Sequence, residues 1–181
     1  MILKDYDLLP GDAIFTYHDS WLSKIILWFS KLREFPKDKN KIAHVAIFIK
    51  YENGIPIIAE AATRVILHGG ECYNNKKYEI HVARPKLEIT PQMAEQIETY
   101  MKGKAGEGYA YIQLLALAIQ KIFGIPSVGD WDKGSVVCSE LYCEIFDDLF
   151  KFIVCPGKIP AGINPLEIYE SIKMGKIIPR G

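Results

Sequence analysis

The fold is decided by residues 43–61, which read AHVAIFIKYENGIPIIAEA. Ala43–Ile49 is an apolar run rich in residues that favour strands, and Ile55–Ala61 is a second apolar run. The Asn-Gly pair between them is typical of the tight turn that joins two antiparallel strands. The stretch therefore predicts a β-hairpin.

Two polar side chains interrupt the apolar strands of this hairpin. His44 begins the first strand, among apolar neighbours, and Glu60 is a charge inside the second. Burying an imidazole or a carboxylate without a partner is costly, so each side chain is expected to have one. For His44, a structural role satisfied by backbone carbonyls is the alternative.

The length of the turn decides whether these two side chains can meet. A two-residue Asn-Gly loop places Glu60 opposite Ile47, on the other face of the sheet from His44. A three-residue loop places Glu60 opposite Ala46, on the same face as His44 and one diagonal step of about 7–8 Å away. A His44–Glu60 pair therefore predicts an odd-length loop, or a compensating bulge, in the hairpin.

Glycine, proline and hydrophobic periodicity divide the rest of the chain into short elements. Further strands are expected at Ala13–Phe15, Arg64–Leu67 and Tyr78–Ala83, and helices over 21–32, 91–103, 109–123, 136–149 and 165–174. Asp19 or Ser20 is the expected cap of the first helix, and Thr90 caps the second, which Gly103 ends. These elements predict one α+β domain over residues 1–181, with an antiparallel sheet and segregated helices.

Composition excludes several classes of protein. The 181 residues are 49% hydrophobic and 24% charged, which is typical of a globular domain and not of a disordered or fibrous chain. Lys+Arg and Asp+Glu both count 22, so no net charge draws the protein to nucleic acid or anionic membrane. Because we see neither a secretory signal nor an apolar run of the ~20 residues that span a bilayer, we expect a cytoplasmic protein without stable membrane insertion.

Cys138 is the candidate nucleophile. If Ser135 caps the helix that follows, Cys138 lies in its first turn, where unpaired backbone N–H groups and the helix dipole stabilise a thiolate. The alternative is a small buried hydrophobe, which is the role expected of Cys143 on the same helix. Cys72 and Cys155 fall in loops with no base nearby in the sequence.

A cysteine nucleophile needs a base, and the chain has four histidines. His44 is the candidate base because of its apolar strand, and Glu60 is the candidate carboxylate that orients its imidazole. His18 and His68 fall in turn-like contexts where we expect them to be exposed. His81 is expected to face solvent from an edge strand.

No metal and no cofactor are expected. Cys138 and Cys143 lack the CxxC spacing of metal or redox sites, and His68 with Cys72 is a lone pair. The glycines at 103, 106 and 108 precede no strand–loop–helix motif of the kind that holds phosphate.

Four short motifs occur in a distinctive order. They are Pro10-Gly11-Asp12, Ala43-His44-Val45-Ala46-Ile47, Ile58-Ala59-Glu60-Ala61 and Val137-Cys138-Ser139-Glu140-Leu141. Together they resemble the circularly permuted branch of the NlpC-type papain-like superfamily, the YiiX/YebB-like amidases. In that branch the histidine strand precedes the cysteine helix, as His44 precedes Cys138 here, and the similarity spans roughly residues 8–168.

The resemblance implies a papain-like fold and a thiol-dependent amidase or peptidase that works through an acyl-enzyme. Cys138 would attack the carbonyl, His44 would exchange the proton and Glu60 would orient His44. The implied substrate is a small peptide or an N-acyl amide, with γ-D-glutamyl cell-wall peptides as the model within the superfamily. No partner protein is indicated.

Two other functions are the alternatives. The first uses the same three residues, and the presence of all three argues against the second. The related lecithin retinol acyltransferase-like enzymes move acyl chains between lipids, and a non-catalytic binding module would keep the fold and its cleft. Tyr109, Asp130, Trp131 and Tyr17 are the candidate substrate-binding residues. For Tyr109 and Trp131 a packing role is the alternative, and for Asp130 a solvated loop position.

Overall fold

A five-stranded antiparallel sheet forms the centre of the protein, seen in a computed structural model. The structure describes residues 2–20, 23–24, 41–62, 64–109, 135–136, 138–156 and 163–172. The strands are β1 (Ala13–His18), β2 (His44–Glu52), β3 (Ile55–Ala61), β4 (Val65–Gly69) and β5 (Tyr78–Ala83). Their order across the sheet is β4-β3-β2-β1-β5, so β4 and β5 are its edges.

The predicted hairpin is confirmed, and its turn has two residues. Asn53 and Gly54 both have positive φ, 52° and 79°, as the tight turn between twisted strands requires. Further along the hairpin the register shifts between Phe48 and Lys50, which leaves Ile49 as the extra residue of a β-bulge.

The bulge decides which side chains share a face of the sheet. On the far side of it, Phe48 pairs with Ile58 and Ile47 pairs with Ala59. Continuing this register places Glu60 on the same face as His44, because alternate residues of a strand point to opposite faces. The compensating bulge that a His44–Glu60 pair predicts is therefore present, and the odd-length loop is not.

Three helices pack against this sheet in the described part of the chain. They are α1 (Pro91–Lys104), α2 (Cys138–Phe150) and α3 (Pro165–Ile172). Their buried side chains form one core with the sheet face that carries Val45 and Ile47. The opposite face, with Ala46 and Phe48, is covered by the N-terminal segment and by a 3-10 helix at Gly70–Tyr73. The expected α+β architecture is thus confirmed, while its limitation to one domain stays a prediction.

A turn at the start of β1 fixes the position of helix α2. The Tyr142 hydroxyl donates a hydrogen bond to the Gly11 carbonyl at 3.0 Å, and Gly11 has a φ of 87°. Asp12 is fully buried and accepts hydrogen bonds from the Arg84 guanidinium at 2.8 and 2.9 Å and from the Leu9 backbone N–H at 2.7 Å. These contacts hold the Pro-Gly-Asp turn and α2 in one arrangement.

The entry to helix α2 differs from the prediction. Ser135–Val136 forms a short strand, β7, which pairs in parallel with Gly108–Tyr109, β6. The helix begins at Cys138, so Ser135 is not its N-cap: its backbone is extended and bonded to another segment. Cys138 nevertheless lies in the first turn, as expected.

Helix α1 starts as predicted and ends slightly later. Thr90 Oγ1 accepts a hydrogen bond from Met93 N at 3.3 Å, and proline takes the first helical position. The helix continues through Gly103 to Lys104, and Gly106, with a φ of 94°, takes the left-handed conformation instead. Ser20 Oγ accepts from Ser23 N at 3.2 Å, which agrees with its capping role.

Two predicted elements fall largely outside the described residues. They are the helices expected over 21–32 and 109–123, although Tyr109 itself lies in β6. Strand β4 extends to Gly69, beyond the predicted end at Leu67, whereas β5 has the predicted bounds. No helix among the described segments has the length and apolar character needed to cross a membrane.

Candidate active site

The two polar side chains of the hairpin are hydrogen-bonded to each other. His44 Nε2 lies 2.6 Å from Glu60 Oε2. The side chain of His44 is 22% exposed and that of Glu60 is 8% exposed. A charge-assisted bond of this length in a largely buried place orients the ring.

Cys138 lies on the other side of the imidazole. It is the first residue of α2, is 4% exposed, and makes a hydrogen bond with His44. Because Nε2 of His44 is engaged by Glu60, Nδ1 is the ring nitrogen left for the sulfur. A thiol, an imidazole and a carboxylate therefore meet in series, although 94 residues separate Cys138 from His44 in the chain.

The charges of this series support one another. Burial of the His44 ring favours its neutral form, but the charge and hydrogen bond of Cys138, with those of Glu60, outweigh it and raise the pKa of His44 to about 10. Burial also opposes the ionisation of Glu60, yet hydrogen bonds from His44 and His68 hold the pKa of that carboxyl well below its usual range. His44 is thus an imidazolium and Glu60 a carboxylate at neutral pH.

Two further side chains bind Glu60. His68 Nε2 lies 2.7 Å from Glu60 Oε1, and the Tyr73 hydroxyl donates to Glu60 Oε2 at 2.5 Å. Burial and the charge of Glu60 raise the pKa of Tyr73, so this hydroxyl keeps its proton and donates. The carboxylate is therefore held by three donors from three different elements.

The prediction that His68 is exposed is wrong. It lies in β4 with its side chain 27% exposed, and it pairs across the sheet with Ile58, two residues from Glu60 on the same face. The signal that could have found it was the strand at 64–67, which needed only to continue one residue further. Tyr73 lies in a 3-10 helix, and no periodic pattern marked it.

The other two histidines lie away from this cluster and are half-buried. His18 packs its ring 5.2 Å from that of Tyr78, so the expected exposure is wrong there too. His81 does lie on an edge strand, but its side chain is only 15% exposed because it packs near Tyr169.

The remaining cysteines behave largely as predicted. Cys143 is buried in the core at 4% exposure and hydrogen-bonds with Cys155, whose thiol donates to the Glu167 carbonyl at 3.8 Å. Cys72 is exposed in the 3-10 helix. The four cysteines form no disulfide.

The candidate substrate-binding residues are only partly described. Tyr17 is half-buried at the end of β1, where its hydroxyl donates to Asp19 at 3.3 Å and Lys41 Nζ lies 5.2 Å from its ring centroid. Asp130 and Trp131 lie outside the described residues, and for Tyr109 only the backbone strand is described. A substrate role for these four side chains stays a prediction.

Comparisons with known proteins support the fold. No protein-family model matches the chain, and no curated protein matches its sequence. The structure is similar to the crystal structure of the metalloprotein yiiX from Escherichia coli O157:H7, with a TM-score of 0.59 and 15% sequence identity over 96% of this chain and 89% of that one. The YiiX-like, papain-like fold expected from the four motifs is confirmed, and the chemistry has to be argued from the residues.

Because yiiX is a metalloprotein, we asked whether this chain has donors for a metal ion. In the ranges that the structure describes, no three His, Cys, Asp or Glu side chains are arranged to hold a metal ion. His44 and His68 direct their Nε2 atoms at different oxygens of one carboxylate, so these nitrogens do not converge on an open point. The described residues do not fit a metal centre, and we derive no metal-dependent step.

Proposed function

We propose that the protein is a cysteine hydrolase that cleaves an amide or peptide bond through a thioester acyl-enzyme. Cys138 is the nucleophile, His44 the general acid and base, and Glu60 the carboxylate that orients His44. The observation that carries the proposal is one imidazole bonded both to a thiol at a helix start and to a buried carboxylate. This is the arrangement that activates a sulfur nucleophile.

Each step of the proposed reaction moves a proton through His44. The Cys138 sulfur, as thiolate, attacks the carbonyl carbon, and the imidazolium of His44 gives its proton to the leaving nitrogen as the C–N bond breaks. A water molecule then gives a proton to His44 and its hydroxyl group to the acyl carbon. The C–S bond breaks, and the acid product leaves the thiolate and imidazolium as they began.

The raised pKa of His44 suits this cycle because the enzyme starts from the ion pair. A thiolate is the reactive form of cysteine, and an imidazolium is already loaded with the proton that the leaving amine needs. The backbone N–H of Cys138, at the helix start, is a natural donor to the oxyanion of the tetrahedral intermediate.

For the substrate we propose a small peptide or an N-acyl amide, with γ-D-glutamyl cell-wall peptides as the first class to test. The support is the resemblance of the four sequence motifs, which join Pro-Gly-Asp, the histidine strand, the glutamate strand and the cysteine helix in permuted order. The YiiX-like fold is compatible with it.

The test is activity profiling of wild type and Cys138→Ala against a mixture of cell-wall peptides and N-acyl amides, with products identified by mass spectrometry. We expect new amine and acid products with wild type only. The matched control is Cys72→Ala, which removes an exposed cysteine and should retain activity.

Three outcomes would contradict the proposed hydrolase. Products that form equally well with Cys138→Ala would remove the nucleophile from the mechanism. Acyl transfer to an added lipid acceptor, with wild type bound to vesicles in flotation, would favour a lipid acyltransferase with the same residues. Binding without turnover that Cys138→Ala leaves intact would favour a binding module.

A further inference from the structure

The two ring nitrogens of His68 both face hydrogen-bond acceptors. Nε2 lies 2.7 Å from Glu60 Oε1, and Nδ1 lies 2.9 Å from the carbonyl oxygen of Gly69. A carbonyl oxygen only accepts, and Glu60 is a carboxylate that only accepts. Both ring nitrogens must therefore carry hydrogen, which makes His68 an imidazolium.

The electrostatics of the cluster agree with this protonation state. The hydrogen bond to Glu60 raises the pKa of His68 against the effect of burial, and the positive charge of His44 opposes it only in part. The side chain of His68 is 27% exposed, so it exchanges protons with solvent more easily than Glu60, which is 8% exposed.

The sheet places these charges in alternation. His44 on β2, Glu60 on β3 and His68 on β4 share one face of three neighbouring strands, and Cys138 meets His44 at the far end. With the Cys138 thiolate of the proposed mechanism, the signs along the series are negative, positive, negative and positive. Glu60 thus forms ion pairs with two imidazoliums, and its charge does not stabilise His44 alone.

The other titratable groups around this series come from the 3-10 helix packed on the same face and from β5. On β5, burial and the nearby charges of the cluster raise the pKa of the Tyr78 hydroxyl, whose ring packs 5.0 Å from that of Tyr73. The Tyr73 hydroxyl donates a hydrogen bond to Glu60. Burial, together with the charge of Glu60, raises the pKa of the Cys72 thiol. All three groups are neutral at pH 7, so His68 is the cation in the described residues that balances Glu60 from β4.

We propose that protonated His68 is a positioning residue that holds and neutralises Glu60, and thereby sets the pH range in which Cys138 and His44 form a reactive ion pair. The proposal rests on the proposed function, because it assigns a role to His68 within that site. A positive charge favours the deprotonated form of a nearby group and so lowers its pKa. Removing the charge of His68 should therefore raise the pKa of both Cys138 and His44.

The experiment follows alkylation of Cys138 by iodoacetamide as a function of pH, with the adduct quantified by peptide mapping. The variant is His68→Gln, whose amide can still donate to Glu60 but carries no charge. The matched control is His81→Gln, a half-buried histidine of the other edge strand that lies 3.4 Å from an exposed glutamate.

In wild type we expect two inflections: ion-pair formation at low pH, and loss of the His44 proton near pH 10, where the freed thiolate reacts faster. In His68→Gln both inflections should move up by about one pH unit, the order of magnitude for one charge at this range in a partly buried site. His81→Gln should match wild type. Unchanged inflections in a folded His68→Gln would overturn the proposal.

A second measurement uses the wild-type protein and therefore tests the proposal even if His68→Gln does not fold. In wild type labelled with nitrogen-15 in histidine, NMR should show both His68 ring nitrogens protonated at pH 7, and a neutral tautomer there would overturn the proposal. The outcomes separate the two proposals: slow alkylation of Cys138 at low pH in wild type contradicts the hydrolase as well, whereas fast alkylation that ignores His68→Gln contradicts only the role of His68.

Discussion

Two cysteines of helix α2 have the same exposure but different electrostatic surroundings. Cys138 and Cys143 are each 4% exposed and lie five positions apart. Cys138 begins the helix and contacts an imidazolium, whereas Cys143 lies a turn deeper and contacts the thiol of Cys155. Burial is equal, so the partner and the place on the helix account for the difference.

Electrostatics distinguish the proposed nucleophile from the core cysteine. The hydrogen bond with Cys155, burial and nearby negative charge all raise the pKa of Cys143, so its thiol stays protonated and inert. At Cys138 a positive charge and helix N–H groups favour the anion.

Substitution by alanine should lower the activity at Cys138 and the stability at Cys143. Cys138→Ala should lower kcat/KM for the substrate found by profiling at least about a thousandfold, because the attacking atom is gone. Cys143→Ala should keep kcat/KM within about threefold and lower the free energy of unfolding by about 1–2 kcal/mol, because it leaves a small cavity. Kinetics and urea unfolding of both variants measure the two effects, and equal losses of activity would erase the contrast.

Neutralising Glu60 should reduce the reactivity of Cys138 through His44. In Glu60→Gln the imidazolium loses its counter-charge, so the pKa of His44 falls and the upper inflection of the alkylation profile moves to lower pH. This is the opposite direction to His68→Gln. We expect kcat/KM to fall about a hundredfold, which corresponds to the loss of one hydrogen bond to a charged group.

The control for Glu60→Gln is Glu98→Gln. Glu98 also accepts hydrogen bonds from two cationic side chains, Lys50 at 2.8 Å and Lys102 at 2.7 Å, but on the surface of α1. It should leave the profile of Cys138 unchanged, and a similar shift in both variants would mean that overall charge, not the local partner, tunes the thiol.

Acid should remove the stability that Glu60 contributes. Its pKa in the folded protein lies below the ordinary value of 4.5, so the contribution is present above pH 4.5 and is lost as pH falls through the lower folded value. The difference in unfolding free energy between wild type and Glu60→Gln should therefore narrow between pH 6 and pH 3. Urea unfolding at both pH values checks it, and a constant difference would contradict the ionised, hydrogen-bonded carboxylate.

The smallest effect is expected from Tyr73→Phe. The substitution removes one of three donors to Glu60 and keeps both imidazoles, so kcat/KM should fall about threefold to tenfold, the value of one hydrogen bond. Tyr78→Phe is the control because its ring packs 5.0 Å from that of Tyr73. Equal effects of the two variants would assign Tyr73 a packing role.

Much of the fold could be read from local sequence. The hairpin follows from an Asn-Gly turn between apolar runs, and β5 has its predicted bounds, because strand propensity and turn chemistry depend on neighbouring residues. The pairing of His44 with Glu60 was predicted as a condition on register. The bulge at Ile49 that meets the condition depends on contacts across the sheet, which no local pattern contains.

The failures have the same physical origin. Ser135 has the chemistry of a helix cap, but a hydrogen-bonded partner 27 positions earlier in the chain, Gly108, holds it in a strand. His68 precedes Gly69-Gly70, a pair that suggests a turn, yet pairing with β3 continues β4 as far as Gly69. In both places non-local backbone pairing overrides a local preference.

By itself the sequence determined the parts of this site: a histidine and a glutamate in apolar strands and a cysteine at a helix start, because burial cost and periodicity are properties of a residue and its neighbours. Only the tertiary structure decided how they combine. One inserted residue in β2 turned the two strand side chains to the same face. The packing of α2 brought a thiol to the far side of the His44 ring, and β4 brought a second imidazole to the far side of the carboxylate. Hydrogen bonds and charges act over a few ångströms of space, and distance along the chain does not limit them.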